Sequence, residues 1–295
     1  MLQKLEDKLF RPVDMASLAV FRIAFGALLL WDVVKFFVFD WIALMYVRPS
    51  FHFKYYGFEW VEPWPGSLMY LHFAVTGALA FLIMIGLFYR VAIVLFLFMF
   101  SYIFLLDQTE YLNHFYFVIL LNVLLVFAPA NRVYAIDALI RPREGPGAHT
   151  GPAWAVWIVV AQMEIMLVFA GIVKVNPDWL ALQPLLLWLS PQTHLPLIGP
   201  LLGETWVIAV GAYGVIALHI LGAPLLLWRR TRLAVFVLYV LFHISNHVFF
   251  NIGIFPWLTI AGTTIFFPPD WPRRFENKAR EWLRAPRAPA GVAGE

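Results

Sequence analysis

The segment from Leu233 to Pro269 contains 37 residues, and none of them is Asp, Glu, Lys or Arg. A helix needs about 20 apolar residues to cross the hydrocarbon core of a bilayer, so this segment is long enough for two crossings. The whole chain shares this character, since 62% of its 295 residues are hydrophobic and only 13% are charged. Soluble domains have about 45–50% apolar and about 25% charged residues. The chain is therefore predicted to be an integral membrane protein.

Apolar runs of sufficient length recur along the chain and predict an all-α, polytopic transmembrane helix bundle of eight spans. The predicted spans lie near 15–39, 67–89, 91–107, 113–129, 153–174, 205–227, 232–250 and 252–268. The last pair also allows a second interpretation, one span followed by a re-entrant segment. Asn251, Gly253 and Pro256 favour a turn between two spans.

The distribution of basic residues predicts the orientation. With eight spans, one side of the membrane collects 16 of the 21 Lys and Arg residues, and an excess of Lys and Arg marks cytoplasmic loops. Both termini are therefore predicted to be cytoplasmic. The expected organisation is one membrane domain over 1–275 and a basic amphipathic helix with a disordered tail over 276–295. Prolines interrupt residues 176–204, which predicts short interfacial helices there.

Several classes of function are disfavoured by the composition. The chain has no cysteine, which excludes disulfides, iron–sulfur clusters and cysteine nucleophiles. No basic patch has the spacing of a nucleic-acid-binding motif, so nucleic acid is not an expected partner. No internal repeat of the kind found in inverted-repeat transporters is evident, and transport is the least favoured hypothesis.

Ionisable and polar side chains within the spans are candidate site residues, because a charge at mid-membrane costs about 2.5–3.5 kcal/mol on insertion scales. Most of them lie toward the predicted extracytoplasmic ends of the spans; they are Asp32, Lys35, His72, Asn113, His114, Lys174, His243, Asn246 and His247. Structural interpretations compete with functional ones. Asp32 and Lys35, three residues apart on one helix, can neutralise each other, and Lys174 can extend to the interface. His243 and His247 have the i, i+4 spacing of a metal pair, but no carboxylate is near them in the sequence, and no metal is expected.

Three further polar residues stand apart from this group. Arg22 is expected to extend toward the interface or to pair with an acid on another span. His219 falls in the inner half of its span, away from the other polar groups, and is expected to be a packed core histidine. Glu164 lies in the middle of its span, where a proton relay and a structural hydrogen bond are equally consistent with the sequence.

Three stretches of the chain resemble a known family. They are Leu106–His114 with Ala130–Arg132 and Asp137, Phe169–Trp179, and Phe242–Asn246 with Phe250–Trp257 and Phe267–Arg273. Together they resemble the membrane domain of the vitamin K-dependent gamma-glutamyl carboxylases and their bacterial relatives, the HTTM family, over residues 12–275.

The resemblance implies a reaction and a set of residues. In the family, a lysine deprotonates reduced vitamin K, and O2 then converts this naphthoquinol to an epoxide. This oxidation produces a base that removes a γ proton of glutamate, and CO2 traps the carbanion. By position, Lys174 would be the base and His114 would assist it. Asn113, His243 and Asn246 match polar positions of the family and would contact the menaquinol-like naphthoquinol.

The physical requirement on Lys174 is severe, because only a neutral amine can accept a proton. With a free pKa of about 10.4, about one lysine in a few thousand is neutral at pH 7. Desolvation at a helix end would supply the neutral amine. Aromatic residues make up 18% of the chain and can line an apolar cleft for a quinol that arrives from the membrane.

The chain also departs from the family enzymes. Val173 occupies a position where those enzymes have a second lysine, and only residues 40–66 and 176–204 are expected outside the membrane, without the large domain that presents glutamate. A separate protein would then present the acceptor. The leading hypothesis is a carboxylase-like lyase of the bacterial inner membrane, with its site toward the extracytoplasmic face. The alternative is a non-catalytic quinone- or lipid-binding module, or a subunit of a larger complex.

Overall fold

The chain folds into a bundle of helices, and a computed structural model describes its residues 2–196, 198–250 and 252–284. The first half contains a short N-terminal helix, four long apolar helices and one short connecting helix. These are α1 (Leu2–Phe10), α2 (Ala16–Val38), α3 (Ser67–Ile85), α4 (Tyr89–Leu105), α5 (Asn113–Phe127) and α6 (Ile136–Ile140).

The second half contains longer apolar helices separated by short ones. These are α7 (Trp154–Ile172), α8 (Pro177–Leu180), α9 (Gln183–Leu189), α10 (Thr205–Ala217), α11 (Ala223–Leu227), α12 (Arg232–Phe250), α13 (Phe255–Thr263) and α14 (Trp271–Arg284). A π-helical turn over Leu218–Gly222 joins α10 to α11, so that Thr205–Leu227 forms one continuous helix of 23 residues.

Five helices are long and apolar enough to cross a membrane: α2, α3, α7, the continuous helix Thr205–Leu227, and α12. Three shorter apolar segments are Tyr89–Leu105, Asn113–Phe127 and Phe255–Phe266. Each of the eight overlaps a predicted span, and the prediction of an all-α, multi-pass membrane architecture is confirmed. Helix α14 lies at the predicted amphipathic segment, and the predicted disordered tail after residue 284 lies outside the described residues.

The segments that precede α2 and α14 lie on the same face of the bundle. Strand β1 (Pro12–Asp14) pairs antiparallel with β2 (Thr150–Pro152), and Ser17 donates its backbone N–H to the carbonyl of Pro269 at 3.0 Å. Arg273 forms an ion pair with Asp14 at 3.3 Å. We call this the basic face; it contains residues 11–17, 86–90, 129–153, 227–232 and 267–284.

The opposite face consists mainly of connecting segments. Gln108 donates its backbone N–H to the carbonyl of Phe53 at 2.8 Å, and Gln192 donates its side-chain amide to the carbonyl of Phe249 at 3.0 Å. We call this the loop face; it contains residues 40–66, 106–113, 173–196, 198–204, 250 and 252–255.

Two of these segments have the local structure that their prolines and glycines predict. The segment after α7 forms α8, α9 and two 3₁₀ turns, Ser190–Gln192 and Gly199–Gly203, in agreement with the prediction of short helices. Between α12 and α13, Gly253 has a φ of +51°, a conformation that glycine adopts without steric cost. Pro256 lies in the first turn of α13, and Asn251 lies outside the described residues.

Helix α2 lies at the centre of the core. Its residues Phe21 and Phe25 are fully buried, as is Arg22. The Arg22 guanidinium donates to the carbonyl of Ile83 at 3.0 Å and to the carbonyl of Tyr134. The expectation of an interfacial or acid-paired Arg22 is therefore wrong, because its side chain is fully buried and donates to two backbone carbonyls inside the bundle.

Candidate functional site

A buried ion pair lies in α2 near the loop face. Lys35 Nζ is 2.8 Å from Asp32 Oδ1, and the two side chains are 14% and 6% exposed. The predicted neutralisation of these two residues by each other is confirmed. The pair also has a neighbour that the local sequence does not reveal: a Cβ placed on Gly253 would be 3.7 Å from both Lys35 Nζ and His114 Nε2. The backbone of Gly253 thus lies against both side chains.

His114 lies in the first turn of α5 and is buried. Its ring packs against Phe115 and Phe255, with centroids 4.9 and 6.2 Å away. Phe255, the first residue of α13, also packs edge-on against His243 of α12 at 6.0 Å. The two histidines that the sequence analysis selected therefore lie on either side of one phenylalanine.

His243 is 1% exposed, and within the described residues neither of its ring nitrogens has a hydrogen-bond partner. A neutral imidazole carries one donor and one acceptor, and leaving such groups buried without partners costs about 1–3 kcal/mol each. The surrounding rings of Tyr239, Phe242 and Phe255 lie 5.0–6.1 Å away and offer no in-plane polar partner. The arrangement suits a ligand with an apolar body and a hydroxyl or carbonyl group.

His219 continues this arrangement on its other side. Its ring packs edge-on against Phe242 at 5.1 Å and Tyr239 at 5.6 Å, and its Nδ1 is 2.8 Å from the carbonyl of Val215. The expectation of a packed core histidine is confirmed. Its expected separation from the other polar groups is wrong, because the π-helical turn that contains it packs against Gly171, where an added Cβ would be 2.8 Å from His219 Cβ.

We call the continuous set of His114, Phe255, His243, Phe242 and His219 the histidine row. It crosses from α5 through α13 and α12 to the π-helical turn. Near its His219 end lies Glu164 of α7, whose Oε2 is buried and has no hydrogen-bond partner within the part of the chain that the structure describes.

Lys174 follows α7 by two residues and lies beyond the His219 end of the row. Its Nζ donates to the carbonyl of Ala170 at 2.7 Å and lies 5.3 Å from the ring centroid of Trp179. The side chain is partly buried. Among the described residues, no hydrogen bond or ion pair joins Lys174 to His114 or His243.

The remaining predicted residues take different positions. Asn113 begins α5 and is exposed, whereas Asn246 is buried one helical turn after His243. His247 is exposed and packs on Trp257 at 5.2 Å. No group of three or more His, Asp or Glu side chains that could hold a metal ion occurs among residues 2–196, 198–250 and 252–284.

The segment that leads into His114 is held by a second buried pair on the loop face. His52 Nδ1 lies 3.0 Å from Asp107 Oδ2, and Asp107 Oδ1 accepts from the backbone N–H and the hydroxyl of Thr109. Burial opposes ionisation of Asp107, but the hydrogen bonds from Thr109 and His52 outweigh it and lower the pKa of this carboxyl. The pair fixes the segment that contains His52 to the segment that precedes α5.

Sequence reasoning missed the roles of Lys35 and Phe255. Lys35 was interpreted only as a partner of Asp32, and nothing local indicates its approach to His114. Phe255 lies within the stretch Phe250–Trp257, but the chain contains so many aromatic residues that its sequence does not distinguish it from the others. Only the packing at the start of α13 shows that its ring contacts both histidines.

The fold and these buried polar groups define a multi-pass helical membrane protein with a polar row inside its apolar core. Residues 10–271 match the family described as the HTTM domain. Since this match covers most of the chain, the protein belongs to the HTTM family. No solved structure matches the chain.

Proposed function

We propose that this protein binds a reduced naphthoquinone against the histidine row and oxidises it to the epoxide in a carboxylase-like reaction. The observation that carries the proposal is His243, a fully buried ring with two nitrogens that have no partner in the described chain, next to the phenylalanine that also contacts His114. A naphthoquinol has an apolar ring system to fill an aromatic cleft and hydroxyl groups to satisfy such nitrogens.

In this proposal the chain is an eight-span protein of the bacterial inner membrane with both termini in the cytoplasm. The basic face would be cytoplasmic, because most Lys and Arg residues lie on that side. The loop face and the end of the bundle that contains His114 would then be extracytoplasmic. A separate protein would present the acceptor on that side.

In the proposed reaction, oxidation of one quinol by one O2 gives the epoxide and water, a conversion that balances without an acceptor. The coupled carboxylation consumes one CO2 and one acceptor C–H and releases carboxylate and a proton. The quinol, when oxidised by O2, supplies the strong base that removes the acceptor proton. Lys174 would accept the first proton from a quinol hydroxyl, and His114 would assist by holding a quinol oxygen. Asn113, His243 and Asn246 would contact the bound quinol, and the apolar surroundings would exclude water that could reprotonate the carbanion.

The positions of the polar groups both support this assignment and limit it. His114 and His243 share Phe255, which is consistent with a single quinol contacting both. Lys174 lies near the His219 end of the row, and its Nζ donates to the carbonyl of Ala170. For Lys174 to receive a proton directly, its side chain must leave that carbonyl and rotate toward the row when quinol binds.

The second candidate function is a quinone- or lipid-binding module without catalysis. The observation that favours it is the same hydrogen bond from Lys174 to its own helix, which is also what a purely structural lysine at a helix C-terminus forms. In that case the histidine row binds the quinone headgroup, and Lys174 has no part in the chemistry.

One experiment separates the two functions. Purified protein in nanodiscs is supplied with reduced menaquinone, O2 and bicarbonate, and the epoxide is quantified by liquid chromatography. The enzyme proposal predicts epoxide from the wild-type protein, a loss of at least about 100-fold in Lys174→Met, and no loss in the control Lys8→Met. Lys8 is exposed on the N-terminal helix, so its substitution makes the same chemical change away from the row.

Binding is measured in parallel by quenching of tryptophan fluorescence with oxidised menaquinone. Replacing His243 by leucine is expected to weaken binding about tenfold, because one buried hydrogen bond to the ligand is lost. Quinone binding without epoxide, unchanged in Lys174→Met, would establish the non-catalytic function. Wild-type binding by His243→Leu would contradict both.

A further inference from the structure

A cluster of arginines lines a cavity on the basic face, and no residue of the histidine row contributes to this lining. The cavity has a volume of about 600 Å³ and lies where α4, α6, the loop before β2 and the start of α14 meet. Its lining includes five arginines, Arg90, Arg132, Arg141, Arg143 and Arg273, against one carboxylate, Asp137.

Asp137 is already committed to structural hydrogen bonds. Its Oδ1 accepts from the backbone N–H of Phe88 at 2.8 Å, and its Oδ2 accepts from the N–H of Tyr89 at 3.0 Å and from Asn131 at 2.9 Å. These bonds outweigh burial and lower the pKa of Asp137. The carboxylate thus fixes the turn before α4 and forms no ion pair with a cavity arginine among the described residues.

The arginines are correspondingly short of counter-charge. Arg273 pairs with Asp14, whereas Arg90 and Arg132 donate only to the backbone carbonyls of Val126 and Thr150. Arg132 Nε is buried without a hydrogen-bond partner in the described part of the chain. Arg141 and Arg143 are exposed at the rim. Five guanidinium groups line this cavity, and among the described residues only that of Arg273 is paired with a carboxylate. Such an excess of guanidinium groups indicates an anion site.

The position of the cavity indicates the source of the anion. Phe88, Val91 and Ile140 line it beside the arginines, so the wall is apolar on one side and cationic on the other. Helix α14, which contributes Arg273, exposes Phe275 and Trp282, 71% and 79% accessible, as an amphipathic helix at a membrane surface does. Cytoplasmic leaflets carry anionic phospholipids, and basic pockets between helix ends bind their headgroups.

We propose that this cavity binds the phosphate of an anionic membrane phospholipid, with Arg132 deepest, Arg141 and Arg143 at the rim, and an acyl chain against the apolar wall. The site is independent of the histidine row and of any quinol chemistry. Arginine suits this ligand, since its planar guanidinium binds two phosphate oxygens at once.

The test uses the full chain in a neutral detergent, with short-chain phosphatidylglycerol, short-chain phosphatidylcholine and inorganic phosphate as probes. Binding is measured by the shift in the thermal unfolding midpoint and by native mass spectrometry. The cavity variant is Arg141→Gln with Arg143→Gln. Its matched control is Arg229→Gln with Arg230→Gln, the same loss of charge on exposed residues of the same face, away from the cavity.

We expect phosphatidylglycerol to bind and raise the midpoint, and phosphatidylcholine to bind at least tenfold more weakly. The cavity variant should lose about 30-fold in affinity for phosphatidylglycerol, and the control variant should remain within about twofold of the wild type. Binding of inorganic phosphate as tight as that of the lipid would overturn the lipid assignment in favour of a soluble phosphate. Equal losses in the two variants would overturn the site itself, because they would show attraction to general surface charge.

Discussion

The packing of α2 against α3 makes a quantitative prediction at Gly26. A Cβ added there would lie 2.5 Å from Met84 N, 2.7 Å from Met84 Cα and 2.8 Å from the carbonyl oxygen of Ala80. All three are backbone atoms of α3, so no side-chain rotation can relieve the overlap. Ordinary contacts between carbon atoms are about 3.5–4.0 Å, and Gly26→Ala therefore requires the two helices to separate by about 1 Å.

We expect Gly26→Ala to lower the free energy of unfolding by about 3 kcal/mol, the upper end of the usual cost of overpacking, because rigid backbone is displaced along the central helix of the core. Small residues at such contacts are what allow membrane helices to approach closely. The measurement is thermal or SDS-induced unfolding of the purified protein in detergent, followed by circular dichroism.

The matched control is Gly214→Ala in α10, where an added Cβ has nothing within 4 Å. The same methyl group should there leave stability unchanged or raise it by up to about 1 kcal/mol, because alanine has the higher helix propensity. Equal stability of the two variants would refute the close approach of α2 and α3 described above.

Further predictions concern the buried polar groups. Asp32→Asn should destabilise the protein by about 3 kcal/mol or more, since it leaves Lys35 buried without its counter-ion, whereas Asp32→Leu combined with Lys35→Met should recover most of the loss. Arg22→Leu should cost about 1–3 kcal/mol, because the carbonyl of Tyr134 loses its donor, whereas the carbonyl of Ile83 still accepts from the backbone N–H of Gly86. The lowered pKa of Asp107 means that its ionised form contributes stability above its ordinary pKa of 3.8 and loses it as the pH falls through the lowered value. The stability difference between wild type and Asp107→Asn should therefore shrink between pH 5 and pH 2, as measured by unfolding midpoints.

Each of these predictions has a result that would oppose it. A double variant of Asp32 and Lys35 less stable than Asp32→Asn would show that the pair contributes more than mutual neutralisation. An Arg22→Leu protein as stable as wild type would mean that the carbonyl of Tyr134 has another donor. If the stability difference between wild type and Asp107→Asn stayed constant with pH, the effect of the substitution would not come from the charge of Asp107.

Local sequence patterns were sufficient for the features that a single segment determines. The apolar runs located the five long apolar helices and the three shorter ones, the prolines located the broken segment on the loop face, and the i, i+3 spacing located the Asp32–Lys35 pair. Each depends on residues close in the chain, where helix periodicity and backbone chemistry act directly.

Contacts between distant segments could not be predicted in this way. The sequence predicts that Arg22 extends to the interface or pairs with an acid on another span, because nothing local shows that the carbonyls of Ile83 and Tyr134 converge on it. His219 was placed away from the other polar groups, although the π-helical turn brings it against Gly171. The surroundings of Arg22 and His219 depend on the order of the helices around the bundle. Neither hydrophobic periodicity nor charge bias in the sequence gives this order.

The central claim is that the Lys174 amine acts as a base toward a quinol, and chemical rescue tests it most directly. Lys174→Ala protein in nanodiscs is given reduced menaquinone, O2 and bicarbonate with increasing concentrations of methylamine, and epoxide formation is followed. We expect Lys174→Ala to form epoxide at least about 100-fold more slowly than wild type. Its rate should rise in proportion to the free amine added. Epoxide formation by Lys174→Ala at the wild-type rate without amine would contradict it.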